Sequence, residues 1–295
     1  MLLKADRRRA AEAAAQMLDG FNVTEPPVNP FSIARQVEIE LRAVADPRID
    51  FSGCLIHQGG AWGILYRDDI PVAGFKRFTV AHELGHFEMP HHHDVIHAGG
   101  TMHVSESGFT SHLWYEQEAD HFASELLMPP SLFTDAICGK TIGLPTIKDL
   151  SDQFQTSLTS TAIRYAQLSP DPVAIVVSKE GRIQYCFTSS CMRSIRADFV
   201  ERAAPVPRES ITHRMFSEGA QVGAERQGTS YCTAWFEKAT RELEFAEEVI
   251  DLGRYGRILT VLHALELPSD DPMDMSAEDD EDDGGLNRDG KRYRW

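Results

Sequence analysis

The stretch Ala81-His82-Glu83-Leu84-Gly85-His86 decides how the rest of the chain is read. On a helix, residues four apart stand one above the other on a single face, so His82 and His86 present two imidazoles to one point in space. Glu83 sits one residue on, about 100° around the helix from His82. There it flanks a bound ion instead of ligating it, which suits a carboxylate that accepts a proton from an attacking water. The run 77–88 is expected to be that helix, closed by Pro90.

A zinc site of this type needs a third protein ligand and leaves one coordination position open. The next helical stretch, expected over 115–128 and stopped by Pro129-Pro130, supplies candidates in Tyr115-Glu116-Gln117-Glu118-Ala119-Asp120-His121-Phe122-Ala123. Glu118 is the expected third ligand, because a Glu-Ala step followed by small and aromatic residues fits a helix packed tightly behind the metal. Glu116 points about 200° away and is the fallback. HExxH with a downstream acidic helix is a gluzincin-like arrangement, with Glu83 as catalytic residue and His82, His86 and Glu118 as metal ligands.

Phe78-Thr79-Val80-Ala81 leading into HELGH, with Glu116-x-Glu118-Ala119-Asp120-x-Phe122-Ala123-x-x-Leu126-Leu127-Met128-Pro129, resembles the ImmA/IrrE metallopeptidases. The resemblance implies zinc held by the two histidines and the Glu-Ala glutamate, here His82, His86 and Glu118, and catalysis by the HExxH glutamate, here Glu83. It also implies a protein substrate, a helix-turn-helix transcriptional repressor whose cleavage switches on a stress or mobile-element response. Zinc is the expected ion, with manganese as the alternative.

Outward from this core, the expected fold class is α+β. A zincin-like metallopeptidase domain spans 1–138, a helix-turn-helix-like helical segment 139–170, a small α+β domain, sensor- or GAF-like in outline, 171–267, and an acidic disordered tail 268–295. Helices are expected over 6–18 and 30–36, the second opened by Asn29 as N-cap and Pro30 at the first helical position. Alternating patterns predict strands over 39–44, 53–57 and 61–66, the last two joined in a hairpin at Gln58-Gly59-Gly60. A further edge strand is expected over 70–73. The His-rich run 91–111, with His91, His92, His93, His97 and His103, has no period and reads as a solvated polar loop. Strands follow at 173–177 and 182–187, β-like pieces at 229–236, an acidic helix at 241–252, and 257–265 as strand or helix.

Composition bounds the partners. The 295 residues hold 29 Lys and Arg against 45 Asp and Glu, a formal net charge of −16. Ten acids and four bases fall between Asp270 and Trp295, so much of the excess lies in the tail. A chain this acidic is a poor wrapper of nucleic acid, which favours a dense Lys/Arg surface. No run approaches the ~18 apolar residues of a membrane span. Five scattered cysteines without a CxxC pair argue against a disulfide framework, which points to a cytoplasmic setting. The reading is thus a zinc-dependent endopeptidase. The alternative is a DNA-binding regulator with a structural metal, in which Thr159-Ser160-Thr161-Ala162-Ile163-Arg164-Tyr165 would be the reading helix.

Overall fold

Asp6 caps the first helix by accepting a hydrogen bond from the Arg9 amide, which satisfies an amide that the first turn leaves unpaired. The computed structural model describes residues 4–46, 51–70, 72–98, 101–105, 113–197, 199–219, 221–239, 242–253 and 256–265. The expected tail, 268–295, lies outside them. The mixed α+β chain divides into two compact units, Met1–Cys138 with Lys148–Thr161, and Gly139–Ile147 with Ala162–Trp295.

The first unit begins with α1 (Arg7–Gly20), which buries Ala10, Ala14 and Met17. In α2 (Pro30–Gln36), Asn29 accepts from the Ser32 amide and Pro30 occupies the first turn, as the sequence predicts. Three strands follow: β1 (Glu40–Val44), β2 (Gly53–Gln58) and β3 (Ala61–Arg67). β2 and β3 form an antiparallel hairpin in register Gln58↔Ala61. Its two turn residues, Gly59 and Gly60, have φ of 61° and 82°, the left-handed pair that a twisted two-residue hairpin requires.

Next comes α3 (Ala73–Glu88), the helix that carries HELGH. It starts four residues earlier than its apolar pattern predicts. The described residues of the expected edge strand over 70–73 form no strand, because Ala73 already belongs to the helix and Val72 is its extended N-cap. Pro90 does end α3, yet it also opens α4 (Pro90–Ala98), since a proline suits a first helical turn. Beyond it β4 (Met102–Ser105) pairs antiparallel with β2, completing a sheet of order β1-β3-β2-β4 in which β1 and β3 run parallel. The expected solvated loop over 91–111 is therefore corrected to a helix and a strand over its described residues. Its histidines form no apolar stripe, and their order comes from partners on other elements.

The helix α5 (Trp114–Leu127) packs on α3 and on α1. Gly85 permits the close approach: a Cβ there would stand 2.9 Å from the Phe122 ring. Phe122, Ala123, Leu126 and Leu127 are fully buried behind the HELGH helix. α6 (Pro130–Ile137) follows, then α7 (Leu144–Phe154) and α8 (Leu158–Leu168), joined at Gln155, whose φ is 52°. Phe133 and Phe154 meet at 5.0 Å between ring centroids.

The second unit is built on a five-stranded antiparallel sheet, β6-β5-β9-β8-β7. Its elements are β5 (Val173–Lys179), β6 (Arg182–Thr188), α9 (Ser190–Ser194), α10 (Ile211–Glu218), β7 (Glu225–Tyr231), α11 (Cys232–Trp235), β8 (Glu244–Asp251) and β9 (Arg257–Ala264). The segment expected as an acidic helix is the strand β8. Phe245, Glu247 and Val249 alternate inward, and the period-2 burial overrides the helical propensity of its glutamates. Buried Glu247 accepts from the Thr212 amide at 2.8 Å and the Thr212 hydroxyl at 2.7 Å, capping the first turn of α10. Met192, Trp235, Phe236, Phe245 and Leu262 share one core on this face of the sheet.

Candidate metal centre

α3 and α5 cross closely enough for side chains on both helices to converge in a buried space. His82 Nε2 and His86 Nε2 lie 3.1 Å apart. Glu116 faces both, with Oε2 3.3 Å from His82 Nε2 and Oε1 3.4 Å from His86 Nε2. All three residues are buried, and the donor set of two imidazoles and a carboxylate is one that zinc accepts.

The outer ring atoms are fixed as well. His82 Nδ1 lies 2.9 Å from Asp120 Oδ1, so its ring proton is directed to that carboxylate and its Nε2 lone pair faces inward. His86 Nδ1 lies 3.0 Å from His92 Nδ1. His103 of β4 reaches Glu116 Oε1 at 2.7 Å. Two ring nitrogens 3.1 Å apart beside a carboxylate call for a positive charge between them, a proton or a metal ion. The residues present therefore fit a divalent ion.

The charges agree with this. Burial opposes ionisation of Glu116, yet the hydrogen bonds of His103, His82 and His86 hold its carboxyl far below the usual range. Burial likewise opposes charge on His82, but Asp120 and Glu116 raise its pKa well above the ordinary value, so a proton takes the cation's place in the metal-free site. Burial keeps His86 well below its ordinary value and so neutral.

Glu83 stands apart from this hydrogen-bonded set. It is fully buried, and no hydrogen bond of good geometry reaches its oxygens, although His82, the Ser105 hydroxyl and His103 lie near enough to favour its charged form. Burial pushes its carboxyl up to about 7. Gly53 of β2 leaves it room, since a Cβ there would fall 2.7 Å from Glu83 Oε1.

The structure brings Glu116, not Glu118, to the two histidines. Glu118 is expected from the sequence as the third ligand, but at about 200° around α5 it faces α1 and α4 instead. Its Oε1 accepts from the Asp6 amide at 2.7 Å, and its Oε2 meets His91 and His92. Sequence reasoning also misses Asp120 and His103. The spacing of Glu116 and Asp120, four residues apart on one helical face, is the signal that could have found the carboxylate facing the two histidines together with the anchor of His82.

A family model described as Peptidase M78, IrrE N-terminal-like domain, matches residues 73–164. The chain carries an IrrE N-terminal-like domain. This metallopeptidase-family segment holds α3, α4, β4 and α5, and thus His82, Glu83, His86, His92, His103, Glu116 and Asp120, and it indicates a zincin-like fold. No curated protein matches the sequence. Among solved structures, a Mycobacterium tuberculosis transcriptional regulator is similar at 13% identity and a TM-score of 0.57, over 87% of this chain and 76% of that one. At that identity the likeness speaks to fold alone. No helix among the described residues is long and apolar enough to cross a membrane.

Proposed function

We propose that the IrrE N-terminal-like domain of this chain is a zinc-dependent endopeptidase, with His82, His86 and Glu116 as metal ligands and Glu83 as general base. The observation that carries this is the convergence of three buried donors beside a buried carboxylate outside their hydrogen-bonded set. Bound zinc supplies a Lewis acid that polarises the scissile carbonyl and lowers the pKa of water. Glu83 takes the proton of the attacking water and returns it to the departing amine nitrogen. A carboxyl held near 7 is poised for both transfers, and the ion's charge draws it toward the ionised form. Asp120 and His103 act as positioning residues, the first fixing the His82 ring and the second the Glu116 carboxylate. Tyr115, 6.1 Å from His86 between ring centroids, keeps its hydroxyl proton through burial and the nearby Glu116, and is our choice of donor to the developing oxyanion.

The substrate we infer is a protein, a helix-turn-helix repressor, on the strength of the family resemblance. An acidic enzyme gains encounter rate with a basic DNA-binding partner. The reading of this chain as a DNA binder finds little support in α8, where Thr161 and Arg164 are buried and of the described side chains only Gln167 is exposed. The test is incubation of the zinc-loaded protein with a repressor encoded beside it, with products sequenced by mass spectrometry. A new terminus is expected, absent with Glu83→Gln and with a chelator. Cleavage that persists in Glu83→Gln would overturn the assignment of the base.

A further inference from the structure

We propose that His91, His92 and Glu118 form a second divalent-cation site, set beside the first and opposed to it. His91 Nε2, His92 Nε2 and a carboxylate oxygen of Glu118 all lie within 4.8 Å of one another. Glu118 Oε2 is the shared atom, 2.6 Å from His91 Nε2 and 3.0 Å from His92 Nε2. Its other oxygen is held by the Asp6 amide, which aims Oε2 at the histidines and fixes the carboxylate from the start of α1. His92 and Glu118 are buried, while His91 is half-buried with its ring stacked on Trp114 at 5.6 Å and 16°. An ion would enter past His91. Two imidazoles and one carboxylate repeat the donor set of the first centre, so the ion class is the same: zinc or a similar divalent transition metal.

The opposition follows from where the ring protons can sit. His86 Nδ1 and His92 Nδ1 face each other at 3.0 Å and can hold one proton between them. With the second site empty, His92 carries its proton on Nε2, directed at Glu118. Its Nδ1 then accepts from His86 Nδ1–H, which leaves the His86 Nε2 lone pair ready for the first ion. An ion on His92 Nε2 moves that ring's proton to Nδ1, where it confronts the proton of His86. One ring must then turn over its tautomer, and His86 loses its Nε2 lone pair. The empty second site thus prepares the first for its ion, and the filled one disarms it. The second site stands on its own geometry; its opposition rests on the reading that His86 ligates the first ion.

The experiment is cobalt(II) or zinc binding to the full chain at one fixed pH, with stoichiometry from chelator competition and ligand-field absorption as readout. His82→Ala is expected to retain one equivalent, and His82→Ala/His91→Ala to retain none. Glu118→Gln in the His82→Ala background should also lose the ion while keeping an oxygen for the Asp6 amide. In the wild type the second equivalent should bind about tenfold or more weakly than the ion held by His82→Ala. An ion in His82→Ala that survives the loss of His91, or no ion there at all, ends the second site. Equal affinities in wild type and His82→Ala end the opposition. An isotherm identical in wild type and His82→Ala, yet abolished by His91→Ala alone, would instead refute the first centre and leave the second in place.

Discussion

Glu83→Gln is expected to make the metal-free protein more stable while it removes catalysis. The carboxyl is fully buried, and burial outweighs the help of His82, Ser105 and His103 to raise it from 4.5 to about 7. At ~1.4 kcal/mol per tenfold change in an ionisation constant, that displacement costs the ionised native state about 3 kcal/mol. The sign follows from proton counts. The folded-state value lies above the unfolded one, so between them the native protein binds more protons than the unfolded chain, and stability falls as pH rises from about 4.5 through about 7. Above that window the wild type bears the whole cost; below about 4.5 it bears none. A neutral glutamine never bears it. Urea denaturation of chelator-treated wild type and Glu83→Gln, followed by tryptophan fluorescence, should show the variant ahead by about 3 kcal/mol at pH 8, and by under ~1 kcal/mol at pH 5. The same variant should lose hydrolysis by a factor of about 10² to 10⁴. A variant no more stable at pH 8, or a gap that persists on acidification, would refute the claim that a buried charge stored at this position is incompletely compensated.

Glu116→Gln should abolish binding of the ion held by His82 and His86, whereas Glu118→Gln should leave that ion bound, as cobalt(II) absorption would report. Asp120→Ala frees the His82 ring from its anchor and should weaken metal binding by about 10- to 100-fold, measured by chelator competition. Gly85→Ala drives a methyl into Phe122 and should destabilise the first unit by about 1–3 kcal/mol, read by urea denaturation. In the second unit, Glu247→Leu leaves the Thr212 amide without its acceptor and should cost about 1–3 kcal/mol, while Glu247→Gln recovers most of it in the same measurement.

What the sequence disclosed and what it withheld have separate physical causes. HELGH is a local pattern, and its geometry follows from helical spacing alone. The hairpin at Gly59-Gly60 is equally local, because its turn residues carry their own backbone preference. Glu116 and Glu118 could not be ranked in the same way, for both sit on one amphipathic helix and only the arrangement of α1, α3 and α4 around it assigns their directions. The histidines of α4 and β4 lack an apolar stripe, so nothing in their order announces structure. Those that order are held by carboxylates and by aromatic stacking, as where His91 meets Glu118 and stacks on Trp114 at 5.6 Å. In β8 the inward alternation was hidden because one of its inward positions is a glutamate, Glu247, whose burial depends on Thr212 in a distant helix.

The bond from the Asp6 amide to Glu118 spans 112 positions of the chain. Synthesis at ~5–20 residues per second separates the two partners by roughly 5–20 seconds. Throughout that interval α1 has no α5 to pack on, and the HELGH histidines emerge before either of their carboxylate partners exists. Assembly of the centre therefore waits for α5, and a divalent ion would meet a completed pair of helices, not a motif in passing.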